Sequence, residues 1–203
     1  MRMIFWSPPA QNKLLATGQL TSYGSGTGVD DGALRKGTPK VYTVLTTGQF
    51  AGNTNITINA KTDAHANACV LDNKTGLMWS RTYSATVGPT NNGLLPWTTT
   101  GAGATAEGIF DYCAAANVAA LAGYTDWRVP NIRELENLSD TEVPIGIPDS
   151  VAFAGWSAAS SSVWSSTTYP ADTTYALRFN FVGGGEVNSI KTANYYCILV
   201  RGG

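Results

Sequence analysis

The sequence predicts an α+β fold: two helices set among short, mainly antiparallel strands, with a β-rich N-terminal arm ahead of them. Three observations carry this. Apolar residues give their best helical pattern, at spacings of three and four, between about residues 105 and 138, which leaves room for two helices. Short apolar runs bounded by Gly, Asn, Asp or Pro precede and follow that stretch. The chain is also rich in β-branched threonine, 25 of 203 residues, which suits strands and loops better than helices.

Residues 1–66 form the expected arm or small β-appendage. In it, Val41-Tyr42-Thr43-Val44-Leu45 and Ile56-Thr57-Ile58 are β-like runs, set off by Gly24, Gly26, Gly28 and the turn Asp30-Asp31-Gly32. Two acids without a longer ligand pattern read as a solvated turn before they read as a calcium loop. The arm is expected to pack on the main domain or on a neighbouring subunit. Residues 67–203 form the main domain. Cys69-Val70-Leu71 and Leu77-Met78-Trp79 flank Asn73-Lys74-Thr75-Gly76, a β-hairpin pattern.

Residues 105–122 form the first helix, with Thr105 as N-cap, Gly123 just past the end, and Phe110, Cys113, Ala114, Val118 and Leu121 as the core stripe. A short strand at Trp127-Arg128-Val129 then leads to a second helix. Asn131 and Glu134 have capping-box spacing there, and Leu135 and Leu138 face the core. Residues 140–162 read as a long loop anchored by Phe153 and Trp156. The remainder is all β. Tyr175–Phe181 alternates, with Leu177, Phe179 and Phe181 on one face and Ala176, Arg178 and Asn180 on the other. Gly183-Gly184-Gly185 turns the chain, Glu186–Ile190 returns, and Tyr195–Val200 is a buried last strand.

Composition excludes several classes. Charged residues make up 13% of the chain, against roughly 25% in an average soluble domain. With a net charge of −1 and pI near 5.7 there is no electrostatic footprint for nucleic acid or an anionic membrane. No run reaches the roughly 20 apolar residues that span a bilayer. Pro8 and Pro9 cut short the apolar start Met3–Trp6, so no signal peptide is recognised, and export is expected by lysis, by assembly into a particle, or from a longer precursor.

A zinc site is not expected from three scattered cysteines, Cys69, Cys113 and Cys197, and one histidine, His65. Neither is a catalytic constellation. His65 lies beside Asp63 in the arm with only Cys69 near it in sequence. Glu134 and Glu136 are two apart and do not share a helix face. Asp126 and Arg128 are expected to make structural hydrogen bonds, and Trp79, Trp127 and Trp164 to pack in the core. No cofactor, metal or enzymatic activity is expected.

In order along the chain, Asp72–Trp79, the helix holding Cys113, Gly123–Leu138, Trp164–Thr168 and Val200–Gly203 resemble the Lcl C-terminal domain family over about residues 69–203. That family is named for a collagen-like bacterial adhesin and has a C-type-lectin-like fold. The stretch Leu14–Gly26 resembles the leading segment of variable proteins served by diversity-generating retroelements, some of them carried by phages. The resemblance implies a disulfide between Cys113 and Cys197, and two buried free thiols remain the alternative. Calcium-dependent sugar binding is not implied. Val129-Pro130-Asn131 and Ile147-Pro148-Asp149 lack the acid or amide that lectins place before the proline. The related formylglycine-generating enzymes use a C-terminal cysteine pair, whereas Cys197 stands alone in its region.

In the diversified relatives the stretch matching residues 164–195 is the hypervariable ligand-contacting surface. The resemblance therefore implies that role for Tyr169, Asp172, Thr173, Thr174, Arg178, Asn180, Val182, Glu186 and Asn188. Tyr and Arg supply contact area there, and Asn, Ser and Thr supply adaptable hydrogen bonds. An ordinary solvated sheet face fits the same residues. The expected function is non-enzymatic recognition of a protein or glycan receptor on a target cell surface. The expected setting is an oligomer on a phage tail or a cell surface. The alternatives are an adhesin domain for host or matrix polysaccharide and, more distantly, an enzyme of the formylglycine-generating fold.

Overall fold

The computed structural model describes residues 40–45, 69–80, 94–98, 108–118, 120–139, 153 and 162–202. The retroelement-like segment, Asp30-Asp31-Gly32, Ile56–Ile58, His65, Thr105, Ile147–Asp149 and Trp156 lie outside the described residues. Strands β1 (Tyr42–Leu45), β2 (Cys69–Asp72) and β3 (Met78–Ser80) are followed by β4 (Leu94–Pro96), helix α1 (Ile109–Val118), a 3-10 turn (Leu121–Gly123) and helix α2 (Ile132–Leu138). Then come β5 (Ser162–Thr168), β6 (Tyr175–Asn180), β7 (Gly185–Ile190), β8 (Asn194–Tyr196) and β9 (Val200–Arg201). They form a four-stranded sheet ordered β1-β2-β3-β9 and a five-stranded sheet ordered β4-β8-β5-β6-β7. All pairings are antiparallel except β5 with β8. The α+β architecture expected from sequence is therefore the observed one.

The β2–β3 turn is held by its own side chains. Asp72, only 3% exposed, accepts from Lys74 N–H at 2.8 Å and from Thr75 Oγ1 at 2.7 Å, the Asx-turn chemistry that makes Asp a turn residue. Gly76 closes the turn at φ +74°, where a Cβ would be strained. Part of the expected arm is a sheet strand: β1 pairs with β2 in full register, Tyr42 opposite Asp72 through Leu45 opposite Cys69. Tyr42 also meets Phe153 edge-on at 5.5 Å.

Two apolar clusters lie on opposite faces of the strands. Cys69, Met78, Trp164 and Ala176 turn toward α1, while Val70, Trp79, Val163 and Phe179 turn toward α2. Because both faces are covered, β2 and β3 carry consecutive apolar residues rather than alternating ones. The last expected strand, Tyr195–Val200, is really two. β8 belongs to the five-stranded sheet and β9 to the four-stranded sheet. The link between them alternates, Cys197 and Leu199 in the first cluster and Ile198 and Val200 in the second. Leu199 and Ser80 exchange hydrogen bonds at 2.8 and 2.9 Å, fastening the link to β3.

Helix α2 begins with the expected capping box. Asn131 Oδ1 accepts from Glu134 N–H at 2.9 Å and Glu134 Oε2 accepts from Asn131 N–H at 2.8 Å. Glu134 also takes Arg128 Nη1 and Nη2 at 2.8 and 2.6 Å, and Arg128 reaches Gly202 O at 3.1 Å. Asp126 instead binds Arg201, which stacks on Tyr124. Helix α1 is shorter than expected, and its phase is corrected. Its buried residues are Ile109, Tyr112, Cys113 and Ala116, whereas Phe110, Ala114 and Val118 are exposed. No helix among the described residues is long and apolar enough to cross a membrane.

Candidate recognition surface

The meander β5–β6–β7 carries every residue singled out from sequence for ligand contact. β6 runs between β5 and β7, with Arg178 opposite Trp164 on one side and Val187 on the other. Residues directly opposite one another share a face. Ala176, Arg178 and Asn180 therefore share one face with Ser162, Trp164, Val187 and Ser189. Leu177 and Phe179 share the other with Val163, Glu186 and Asn188. Six β6 residues separate the two hairpin loops by about 20 Å.

The expected residues thus fall into separate places. Tyr169, Asp172, Thr173 and Thr174 occupy the β5–β6 loop, Val182 sits at the opposite loop, and Glu186 and Asn188 lie on the α2 side of β7. Arg178 and Asn180 are on the other face, both half-buried. That face is only partly open, because Ala176, expected outside, is fully buried in the first cluster.

Several of these side chains have structural work. Asp172 Oδ1 accepts from Thr174 N–H at 2.9 Å and Oγ1 at 2.6 Å, and the threonine bonds hold the Asp172 carboxyl below its usual pKa. Asn180 Oδ1 accepts from Val182 N–H at 3.0 Å and Gly183 N–H at 3.3 Å, shaping the second loop. Glu186 pairs with Arg133 of α2 at 2.8 Å. By contrast Thr173, Val182 and Asn188 are exposed, and no described residue hydrogen-bonds to their side chains.

Arg178 is the centre of a small polar cluster that sequence reasoning did not assemble. Its Nε donates to Ser189 Oγ at 2.8 Å and its Nη1 to Ser162 Oγ at 2.7 Å, while the guanidinium lies 4.4 Å from the Tyr195 ring centroid. Tyr195 meets the buried Trp164 edge-on at 5.1 Å. The missing signal was register. With the turn placed at Phe181–Gly184, counting outward sets Ser189 opposite Ala176, diagonal to Arg178. At the other end of β6, Lys191 lies 4.0 Å from the Trp97 ring centroid, and Trp97 Nε1 donates to Ser165 O at 2.8 Å.

The cysteines stand apart from this surface. All three are free and buried in the first cluster, so the implied Cys113–Cys197 bond is not formed although both share one core. Burial pushes the Cys69 thiol up to about 12, against a lowering by the charge of Arg201. Burial also raises Cys113, outweighing a Val129 backbone hydrogen bond, and raises Cys197 with help from Cys113.

What fold and surface define is an α+β scaffold that displays a loop-flanked polar sheet. A model of the Lcl C-terminal domain matches residues 68–201, and the chain belongs to that family. No curated protein matches it.

Proposed function

We propose that this chain is a non-enzymatic recognition protein with a C-type-lectin-like frame, which meets its ligand through the β5–β6–β7 meander. Its place is on a phage particle or a cell surface, as a retroelement-diversified variable protein. The observation that carries the reading is a division of labour within the same two hairpins. Asp172, Thr174 and Asn180 bond to their own loops and fix their shape. The side chains of Thr173 and Val182, a residue or two away, and of Asn188 on β7 are exposed and make no hydrogen bond to a described residue. Such positions tolerate exchange while the frame holds. The protonated, buried thiols add support, since a thiol nucleophile needs its thiolate. Oligomeric display would raise weak single-site affinity through multivalency.

The test is binding of purified protein to a panel of bacterial cells and to arrays of cell-surface glycans. Joint exchange of Tyr169, Thr173, Val182 and Asn188 is expected to abolish or redirect any binding. Exchange of Lys74 and Val118, exposed elsewhere, is expected to leave it unchanged. The reverse pattern, or no binding to any surface, contradicts the proposal. Binding to polysaccharide through residues outside the meander supports an adhesin of different geometry.

A further inference from the structure

We propose that the ligand docks a carboxylate onto Arg178, and that this carboxylate is an Asp or Glu side chain of a protein partner. The inference rests on the recognition reading above and names the chemistry at its centre.

Among the described residues, Arg178 is a half-buried cation without an acid. The ion pairs among the described residues engage Arg128, Arg133 and Arg201, each with a carboxylate. Arg178 has two serine hydroxyls and a tyrosine ring instead. The nearest acid in register, Glu186, lies on the opposite face and is taken by Arg133. Partial burial of a charge normally brings a compensating partner. Among the described residues only neutral groups compensate, and none accepts from Nη2.

The guanidinium is also held in place. Nε and Nη1 are tied to hydroxyls on the two flanking strands, and Tyr195 supports the plane. A rotamer-rich side chain already fixed in this way loses little further entropy on binding. A planar, fixed fork matches a carboxylate, which accepts two parallel N–H bonds.

The choice of a protein over an acidic sugar follows from the aromatic rings. Sugars are commonly held on open aromatic faces, but Tyr195, Trp97 and Tyr124 each carry a cation over the ring. Trp97 and Tyr195 meet a second aromatic edge-on as well. The exposed large apolar side chains of the meander are aliphatic, Val182 in the β6–β7 loop and Ile190 at the end of β7, which suit side-chain contact with a polypeptide.

The experiment pans a random peptide display library against the intact protein, then measures binding of the enriched peptides. Expected is an acidic residue at one fixed position. Its Glu→Gln or Asp→Asn replacement in the peptide should weaken binding about tenfold to a hundredfold, the worth of a charge-assisted pair. Arg178→Gln should cause a similar loss, and Arg178→Lys a partial one. Thermal melting of both variants checks the fold, and the peptide replacements test the pairing even where a variant is unstable. Enriched peptides that bind the meander equally well with or without the acid, or bind Arg178→Gln as well as the parent, overturn the inference and leave recognition standing. Arg178-dependent binding to uronic-acid oligosaccharides but to no peptide overturns the choice of a protein. Peptides that bind only outside the meander overturn both readings.

Discussion

Replacing Glu134 by glutamine tests how α2 is latched to the chain terminus. The Glu134 carboxylate receives both terminal nitrogens of Arg128, at 2.8 and 2.6 Å, and the Asn131 amide at 2.8 Å. Burial pushes its pKa upward, but the Arg128 hydrogen bonds, the Asn131 amide and the Arg128 charge together bring it below the ordinary 4.5. A folded pKa below the unfolded one means the carboxylate stabilises fully above that ordinary value. The contribution is lost as pH falls through the folded pKa. Charge-assisted hydrogen bonds contribute about 1.5–3 kcal/mol when desolvated. The Arg128 side chain is 42% exposed, so solvent screening reduces this, and glutamine still accepts from Asn131. The expected loss is about 1–2 kcal/mol, or about 2–8 °C in melting midpoint for a domain of this size. The assay is thermal unfolding followed by far-ultraviolet circular dichroism, parent against Glu134→Gln, near pH 7 and near pH 3. The gap should be present at the higher pH and narrow at the lower, since other carboxylates titrate alike in both proteins. Equal midpoints near neutrality, or a gap unchanged in acid, would refute the latch.

Three further outcomes follow from the same structure. Trp164 Nε1 donates to Leu95 O at 2.9 Å, whereas the buried Trp79 Nε1 has no partner among the described residues. Urea unfolding should therefore show Trp164→Phe losing about 2–4 kcal/mol, and Trp79→Phe at least about 1 kcal/mol less, since it also removes an unsatisfied donor. Gly202→Ala should destabilise more than Gly76→Ala. Both have positive φ, but only at Gly202 does a Cβ meet a backbone oxygen, Gly76 O at 3.2 Å, and midpoints in the opposite order would contradict this. Thiol labelling at mildly alkaline pH should leave Cys69 and Cys197 unmodified until denaturant is added; fast labelling of the folded protein would show that they are open.

Much of the frame was legible in the sequence because its signals are local. Asn131 and Glu134 announce the start of α2 within one turn of chain, Asp72 to Gly76 spell a turn, and the three tryptophans at 79, 127 and 164 are buried as expected. The phase of α1 was not legible. Phe110, Ala114 and Val118 have helical spacing, but so do Ile109, Tyr112, Cys113 and Ala116, one position away. Which stripe turns inward is decided by the sheet it meets. The crossing of Cys197–Leu199 between sheets was hidden for a similar reason, since a link buried on both sides looks like one strand. At the surface, residue type pointed to the β5–β6 and β6–β7 hairpins but not to the division of bonding within them. Asp172 and Asn180 look like contact residues in a string of letters and are loop fasteners in the fold. Arg178 was named, but its serine and tyrosine supports come from three other strands and required the register.

The most direct measurement is the cooperative thermal unfolding of a variant with Thr173, Val182 and Asn188 all replaced by residues of different size and charge. If these positions are free of the frame, the transition stays single and its midpoint lies within about 4 °C of the parent, as for surface substitutions generally. A broad or missing transition would show that the hairpins depend on those side chains, and a surface that can change without cost to the fold would then be ruled out.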